Sequence, residues 1–197
     1  LSVVNSVAGA YAEKSPLLVI SGAPGLNERG RNALLHHKVR DFDTQRQVFD
    51  KITVAHTALE DPLTAFREID RVLEAVIRYR RPGYIEIPRD MAKVRPTHPH
   101  VASKSVVTSD SRELEESVND AIEMLRESDR PIIMSGVEVH RFGLQKQVIK
   151  LAEKHQIPIC STLLGKSAIS EGHPLYVGVY EGAMGRREVT EFVEESD

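Results

Sequence analysis

The sequence predicts an α/β protein: two open parallel-sheet α/β domains joined by a linker, both of them incomplete. Three observations predict it. Short, mainly apolar runs (residues 17–20, 84–87, 131–134 and 157–160) alternate with stretches whose apolar residues recur at helical spacing. Such runs suit strands covered on both faces, as in a parallel sheet. Between about residues 89 and 108 the alternation stops, and Pro96, His98, Pro99, His100 and several serines carry no apolar period. A structureless stretch that long is unusual inside one domain and reads as a linker. The length of 197 residues leaves room for two small domains. These are placed at residues 1–95 and 110–197, with 96–109 as the linker.

Taken in order, residues 1–14 are small and apolar and read as a tightly packed helix. The strand at 17–20 runs into a turn, Ser21-Gly22-Ala23-Pro24-Gly25. Residues 25–35, with Gly25, Asn27, Gly30 and Asn32, read as a loop. Residues 51–55, with Ile52 and Val54, read as a second, weaker strand. Asp61-Pro62 then opens a helix, with Asp as N-cap and Pro at the first helical position. That helix is expected to bury a stripe of Phe66, Ile69, Leu73, Val76 and Ile77. Arg81-Pro82-Gly83 stops it before the strand at 84–87. In the second half, Asp110 with Glu113 three residues later forms a capping-box pattern. It heads a helix with an apolar stripe of Leu114, Val118, Ala121, Ile122 and Leu125. A strand at 131–134, a turn at Gly136, a helix over 142–155 and a strand at 157–160 follow, and the crossover is expected to be right-handed. A polar helix over 186–195 comes last, where the alternation calls for one more strand.

Composition narrows the function classes. With 26 Lys+Arg against 29 Asp+Glu, the net charge is −3, without the basic surplus that a sequence-independent nucleic-acid binder needs. No apolar run approaches the roughly 18 residues that span a bilayer. The single cysteine, Cys160, forms no internal disulfide, so a cytoplasmic location is expected. The chain opens at Leu1 with no basic leader, in what reads as the middle of a helix, so it is expected to be a piece of a longer protein.

His36-His37 stands out among the residues that could carry chemistry. Two adjacent histidines cannot share one face of a helix or strand, so both reach one small molecule only from a loop or an element end. Imidazole donates on one nitrogen, accepts on the other and titrates near neutrality, which suits it to proton transfer and to holding carboxylate or alkoxide oxygens. On spacing alone, a solvent-exposed or structural pair is the more common reading. Gly22-x-Pro24-Gly25 follows a strand and reads as a ligand-facing turn, because ligands of open α/β sheets gather at the carboxyl ends of strands. It lacks the spacing of a phosphate loop. Asp41-x-Asp43 reads as a solvated turn, His98-Pro99-His100 as polar spacing, and Cys160 as a small buried residue. Gly165-Lys166-Ser167 looks like the tail of a phosphate loop, but Cys160 stands where that motif needs glycine.

Read together, the segments resemble the thiamine-diphosphate-dependent 2-keto acid decarboxylases. Residues 1–14 look like the helix after that family's first glycine-rich turn, and 17–24 like the next strand with its Gly-x-Pro turn. Leu34-Leu35-His36-His37 looks like the family's His-His signature. The likeness continues through 131–136, Ile157-Pro158, 162–167, Glu171-Gly-His-Pro174 and Gly178-Val-Tyr-Glu-Gly182, so it covers essentially the whole chain. Lys38-Val39-Arg40 stands where the pyruvate-specific branch commonly has Thr-Leu-Gly, a version that looks more like the branch acting on aromatic 2-keto acids.

The resemblance implies that residues 1–95 are the later part of a pyrimidine-binding domain and 110–197 most of a central domain. It implies a carboxy-lyase that releases carbon dioxide from a 2-keto acid, with thiamine diphosphate and Mg2+ as cofactors, working as a homodimer or homotetramer. His36 and His37 are then the catalytic residues, orienting the substrate carboxylate and assisting proton transfers. The family's cofactor-activating Glu is expected before Leu1 and its Gly-Asp-Gly…Asn motif beyond Asp197, so the chain alone is expected to be inactive. An acetolactate-synthase-like carboligase or oxidase and a non-catalytic α/β ligand-binding module remain the alternative readings.

Overall fold

Two parallel three-stranded sheets carry the fold, one in each of the two units, Leu1–Ser105 and Val106–Asp197, into which the chain divides. The computed structural model describes residues 1–35, 38–96, 99–101 and 108–197. The α/β class expected from the alternating pattern is the class observed.

In the first unit the strands β1 (Leu18–Ala23), β2 (Ala55–Ala58) and β3 (Gly83–Pro88) lie in the order β1-β3-β2. Leu18 and Ala55 both sit opposite Gly83, so all three strands end on the same side. As the central strand, β3 is buried at every position but Ile87. Its alternating side chains feed two cores. Ile85 packs with Ala55 and Leu59 against Val72 and Val76 of α4 (Ala65–Tyr79). On the opposite face Tyr84 joins Val7 of α1 (Val4–Ala12) and Phe49 of α3 (Thr44–Asp50). The Tyr84 and Phe49 rings are stacked with centroids 4.3 Å apart. Gly83 admits the close approach of α4: a Cβ there would lie 2.5 Å from a methyl of Val76 and 2.9 Å from one of Val72.

In the second unit β4 (Ile133–Ser135), β5 (Ile159–Thr162) and β6 (Tyr176–Tyr180) lie in sequence order. Ile159 of the central strand packs with Ala152 of α7 (Gln145–His155) and with Ile169. Cys160 points the other way, onto Val189 and Val193 of α8 (Arg187–Glu194). The β5–β6 register slips between Ile159 and Cys160. At that slip Gly178 takes φ +146°, and a Cβ there would stand 2.6 Å from a methyl of Val189.

Several sequence expectations need correction. The strand expected at 51–55 begins only at Ala55. Ile52 packs with the Phe49–Tyr84 core, and the alternation that matters runs through Ala55, Thr57 and Leu59. The loop expected at 25–35 contains a single helical turn, α2 (Leu26–Gly30), and α3 was not foreseen. Asp61-Pro62 makes a turn before the helix rather than its first turn. The Asp61 carboxylate accepts from the Leu63 N–H and the Thr64 hydroxyl, and α4 starts at Ala65. The buried stripe of α4 is Val72 and Val76 with Ile69 beside them, whereas Leu73 and Ile77 are exposed. The helix expected over 142–155 is α7, which starts only at Gln145; Gly143, at φ +68°, parts it from an additional short helix, α6 (Val137–Arg141). The stripe expected on α5 (Ser111–Glu127) contributes no buried residue. Strand β6 was not foreseen, because Gly178 interrupts its apolar alternation.

Candidate functional site

Parallel strands bring their carboxyl ends, and the start of each following connection, to one side of the sheet, where ligands of open α/β folds collect. At that edge of the first unit lies a cleft of about 860 Å³, within the range of small-molecule sites. Ser21, Ala23 and Pro24 at the end of β1, Ile87 at the end of β3, Gln45 of α3 and Leu35 line it. The Gly22-Ala23-Pro24 turn singled out in the sequence is therefore a cleft wall. His36 and His37 lie outside the described residues. Leu35, which precedes them directly, lines the cleft, and the two elements that flank their connection in sequence, α2 and α3, border it.

Beneath the cleft runs a buried polar network. Glu86, on the central strand, is 2% exposed. An ionised carboxylate costs several kcal/mol to bury unless it is paired and hydrogen-bonded, and Glu86 has both kinds of partner. Arg29 Nη2 donates to its Oε1 at 2.7 Å, and the Tyr84 hydroxyl donates to its Oε2 at 2.6 Å. Burial, and next the bond to Glu86, push the Tyr84 hydroxyl up from its ordinary pKa, so it stays protonated as the donor. Its oxygen in turn accepts from Gln45 Nε2 at 2.9 Å, and the same nitrogen donates to the Ser21 hydroxyl at 2.9 Å. Arg29 also donates to Glu60 at 2.7 Å and, through Nε, to the Pro24 carbonyl at 3.2 Å. One guanidinium thus ties together the ends of all three strands, using the planar fork that distinguishes Arg from Lys.

The turn that leads into α2 is fixed separately. Glu28 accepts from the Gly25 N–H at 2.8 Å and pairs with Arg89. Asp90 stands against the start of α2. Burial raises its carboxyl, but the Leu26 and Asn27 N–H groups outweigh that and hold it below the usual carboxylate range.

None of Arg29, Gln45, Tyr84 and Glu86 was singled out in the sequence. The signal was a charged residue inside an apolar strand, Tyr84-Ile85-Glu86-Ile87, where a carboxylate is retained only with partners. The other candidates settle as packing. Asp41 accepts from the Asp43 N–H and the Thr44 hydroxyl, both at 2.9 Å, and closes a turn before α3. His98 lies outside the described residues. His100, expected as polar spacing, instead stacks on Phe66 with centroids 4.6 Å apart and pairs with Asp70 at 3.2 Å. Cys160 is fully buried, and burial raises its thiol. Gly165 donates to the Thr162 carbonyl at 2.9 Å, and a Cβ there would meet the Ser135 carbonyl at 2.3 Å, so this glycine serves close packing.

Among the described residues no group of three or more His, Cys, Asp or Glu side chains could hold a metal ion. No helix among them is long and apolar enough to cross a membrane.

Comparison with known proteins gives this site its context. Residues 118–197 match the family model for the central domain of thiamine pyrophosphate enzymes. The whole chain is 43% identical over 198 residues to an indole-3-pyruvate decarboxylase of Azospirillum brasilense, covering 36% of that protein. It is also 30% identical over 202 residues to pyruvate decarboxylase isozyme 3 of Saccharomyces cerevisiae, again covering 36% of it. Against a pyruvate decarboxylase of Neurospora crassa the identity is 36% over 187 residues, 92% of this chain and 33% of the relative. The chain spans about a third of the length of these curated relatives.

Proposed function

We propose that this chain, which belongs to the thiamine-diphosphate-dependent 2-keto acid decarboxylase family, is the part of such an enzyme that forms one wall of its active site. Residues 1–95 are the later part of the pyrimidine-binding domain, 96–109 the linker and 110–197 most of the central domain. The reaction is non-oxidative: a 2-keto acid is split to the aldehyde and carbon dioxide. The observation that carries this reading is the cleft at the ends of β1 and β3, lined by the residue next to His36 and bordered by the elements on either side of the histidine pair.

The cleft fits the organic end of the cofactor and its substrate. Ala23, Leu35 and Ile87 offer apolar walls, and Ser21, Gln45, Glu28, Arg89 and Lys93 add polar and charged groups to the lining. As the family resemblance implies, the diphosphate end of the cofactor is held by other parts of the enzyme. When bound, thiamine diphosphate supplies the carbanion and electron sink that the bond cleavage needs. The residues of this chain supply placement, exclusion of water and proton management. Ser21 and Gln45, bonded to each other and to Tyr84, shape the cleft floor. His36 and His37 orient the substrate carboxylate while it is still attached, and assist the protonation that follows its departure. A positioned acid or base contributes about 10²–10⁴-fold.

The substrate is an aromatic 2-keto acid such as indolepyruvate or phenylpyruvate. One observation supports this: the indole-3-pyruvate decarboxylase shares more of this sequence than the yeast and Neurospora pyruvate decarboxylases do. The working form is a cytoplasmic homodimer or homotetramer in which a second subunit closes the cleft, with Mg2+ beside the diphosphate. In the complete protein, His36→Ala and His37→Ala each lower the decarboxylation rate at least tenfold while thiamine diphosphate binding is retained. Wild-type rates in both variants refute the assignment.

A further inference from the structure

A second cavity lies beside the cleft, on the α4 side of the sheet, and the function proposed above makes no use of it. Its volume is about 140 Å³. The walls come from three places: Leu59 after β2 with Ile87 of β3, Ala65 and Phe66 at the start of α4, and Met91 and Val94 of the turn that follows β3. Ile87 also lines the cleft, so the two spaces meet at this residue.

The walls are held from behind. Leu59 is 8% exposed and belongs to the core cluster of Val72 and Val76, against which Ile87 also packs. The Val94 N–H donates to the Met91 carbonyl at 3.1 Å and closes the turn Met91–Lys93. The Phe66 ring is stacked on His100 with centroids 4.6 Å apart, which fixes its plane. Phe66 and Val94 keep 37% and 46% of their surface exposed, so a ligand enters past them.

Size and chemistry define that ligand. An apolar cavity of about 150 Å³ takes up benzene, so the space matches one six-membered ring. Aromatic is favoured over aliphatic, because the polarizable thioether of Met91 gains from contact with a ring edge and Phe66 offers a second ring to pack on. Among the described residues lining the cavity, Arg95 alone carries a charge, and its side chain is exposed. A guanidinium fork at an apolar pocket selects a carboxylate. We propose that this cavity is a second small-molecule site, which takes the ring of a monocyclic aromatic acid and pairs its carboxylate with Arg95. The site needs no step of the decarboxylation, and phenylacetate, which has no 2-keto group, probes it without turnover.

The complete protein, loaded with thiamine diphosphate and Mg2+, is labelled with 13C at its methionine methyl groups, and the Met91 signal is identified by its loss in Met91→Leu. Phenylacetate, benzyl alcohol (the same ring without the charge) and acetate (the charge without the ring) are titrated in turn. Phenylacetate should shift the Met91 signal saturably, with half-saturation at about 1–10 mM, the range for a ligand of about ten non-hydrogen atoms. Acetate should leave the signal in place. Benzyl alcohol should bind at least threefold more weakly than phenylacetate in the wild type and equally in Arg95→Gln. Ala65→Leu fills the cavity at a residue that does not line the cleft, and should raise the half-saturation by phenylacetate at least tenfold. A Met91 signal indifferent to phenylacetate, or a half-saturation unchanged in Ala65→Leu, overturns the site. Benzyl alcohol binding as tightly as phenylacetate in the wild type overturns the pairing with Arg95. Should Ala65→Leu fail to fold, Arg95→Gln at its exposed position decides, and a phenylacetate half-saturation that rises less than threefold there overturns the proposal.

Discussion

Removing the cation from a buried ion pair leaves its partner worse off than if neither were present, and Arg29→Met puts that asymmetry to work. Arg29 is 13% exposed and Glu86 2%. The substitution keeps much of the side chain's length and apolar stem but strands the Glu86 carboxylate. Breaking a buried pair from one side costs about 3–5 kcal/mol. The lower end applies here because the Tyr84 hydroxyl still donates to Glu86, which gives about 3 kcal/mol, or roughly a hundredfold in an equilibrium constant. Amide hydrogen exchange in the complete protein reads this locally: the N–H groups of β3 should exchange roughly a hundredfold faster in Arg29→Met. The double variant Arg29→Met/Glu86→Leu, which removes both charges, should return β3 to within about 1 kcal/mol of wild type. Equal exchange rates in the single and double variants would refute the reasoning.

Gly83→Ala forces a methyl to within 2.5 Å of Val76, and the stiff rotamers of the two valines leave it little room. The expected cost is about 2 kcal/mol, seen as a fall of roughly 10 °C in the melting temperature of the first unit, partly recovered by adding Val76→Ala. Cys160 should resist a thiol reagent in the folded protein and react at least 100-fold faster in denaturant, since burial both shields the thiol and raises its pKa. Asp197, whose carboxyl is lowered to about 2 by the Ser128 hydroxyl and the Asp129 and Arg130 N–H groups, adds stability above its unfolded pKa of 3.8. That stability is lost as pH falls through about 2. A pH series from 7 to 2 should show Asp197→Asn less stable than wild type above pH 4, with the difference vanishing near pH 2.

The α/β class and the strands β1, β3, β4 and β5 were legible because each is a short apolar run, and a sheet covered on both faces demands that signature. What stayed hidden follows from the same physics. Helix α2 is a single turn whose stability comes from Glu28, Asp90 and Arg89, two of them about sixty residues away and invisible to local pattern. Strand β6 contains a glycine at φ +146° that breaks its alternation. The expected stripe of α4 rightly held Ile69 and Val76 but took in the exposed Leu73 and Ile77 and missed Val72, because these residues are equally apolar and only the sheet decides which of them face inward. The floor of the site was the largest omission. Glu86 and Tyr84 are i and i+2 on one face of a strand, and their partners Arg29 and Gln45 come from two helices that the pattern did not reveal.

Carbon dioxide release is the direct measure of the proposed activity. The complete protein, supplied with thiamine diphosphate and Mg2+, is offered pyruvate, phenylpyruvate and indolepyruvate, and the gas and the aldehyde are quantified together. Stoichiometric aldehyde and carbon dioxide, fastest with the two aromatic acids and at least tenfold slower in His37→Ala, is the predicted result. Release of carbon dioxide from none of the three contradicts it.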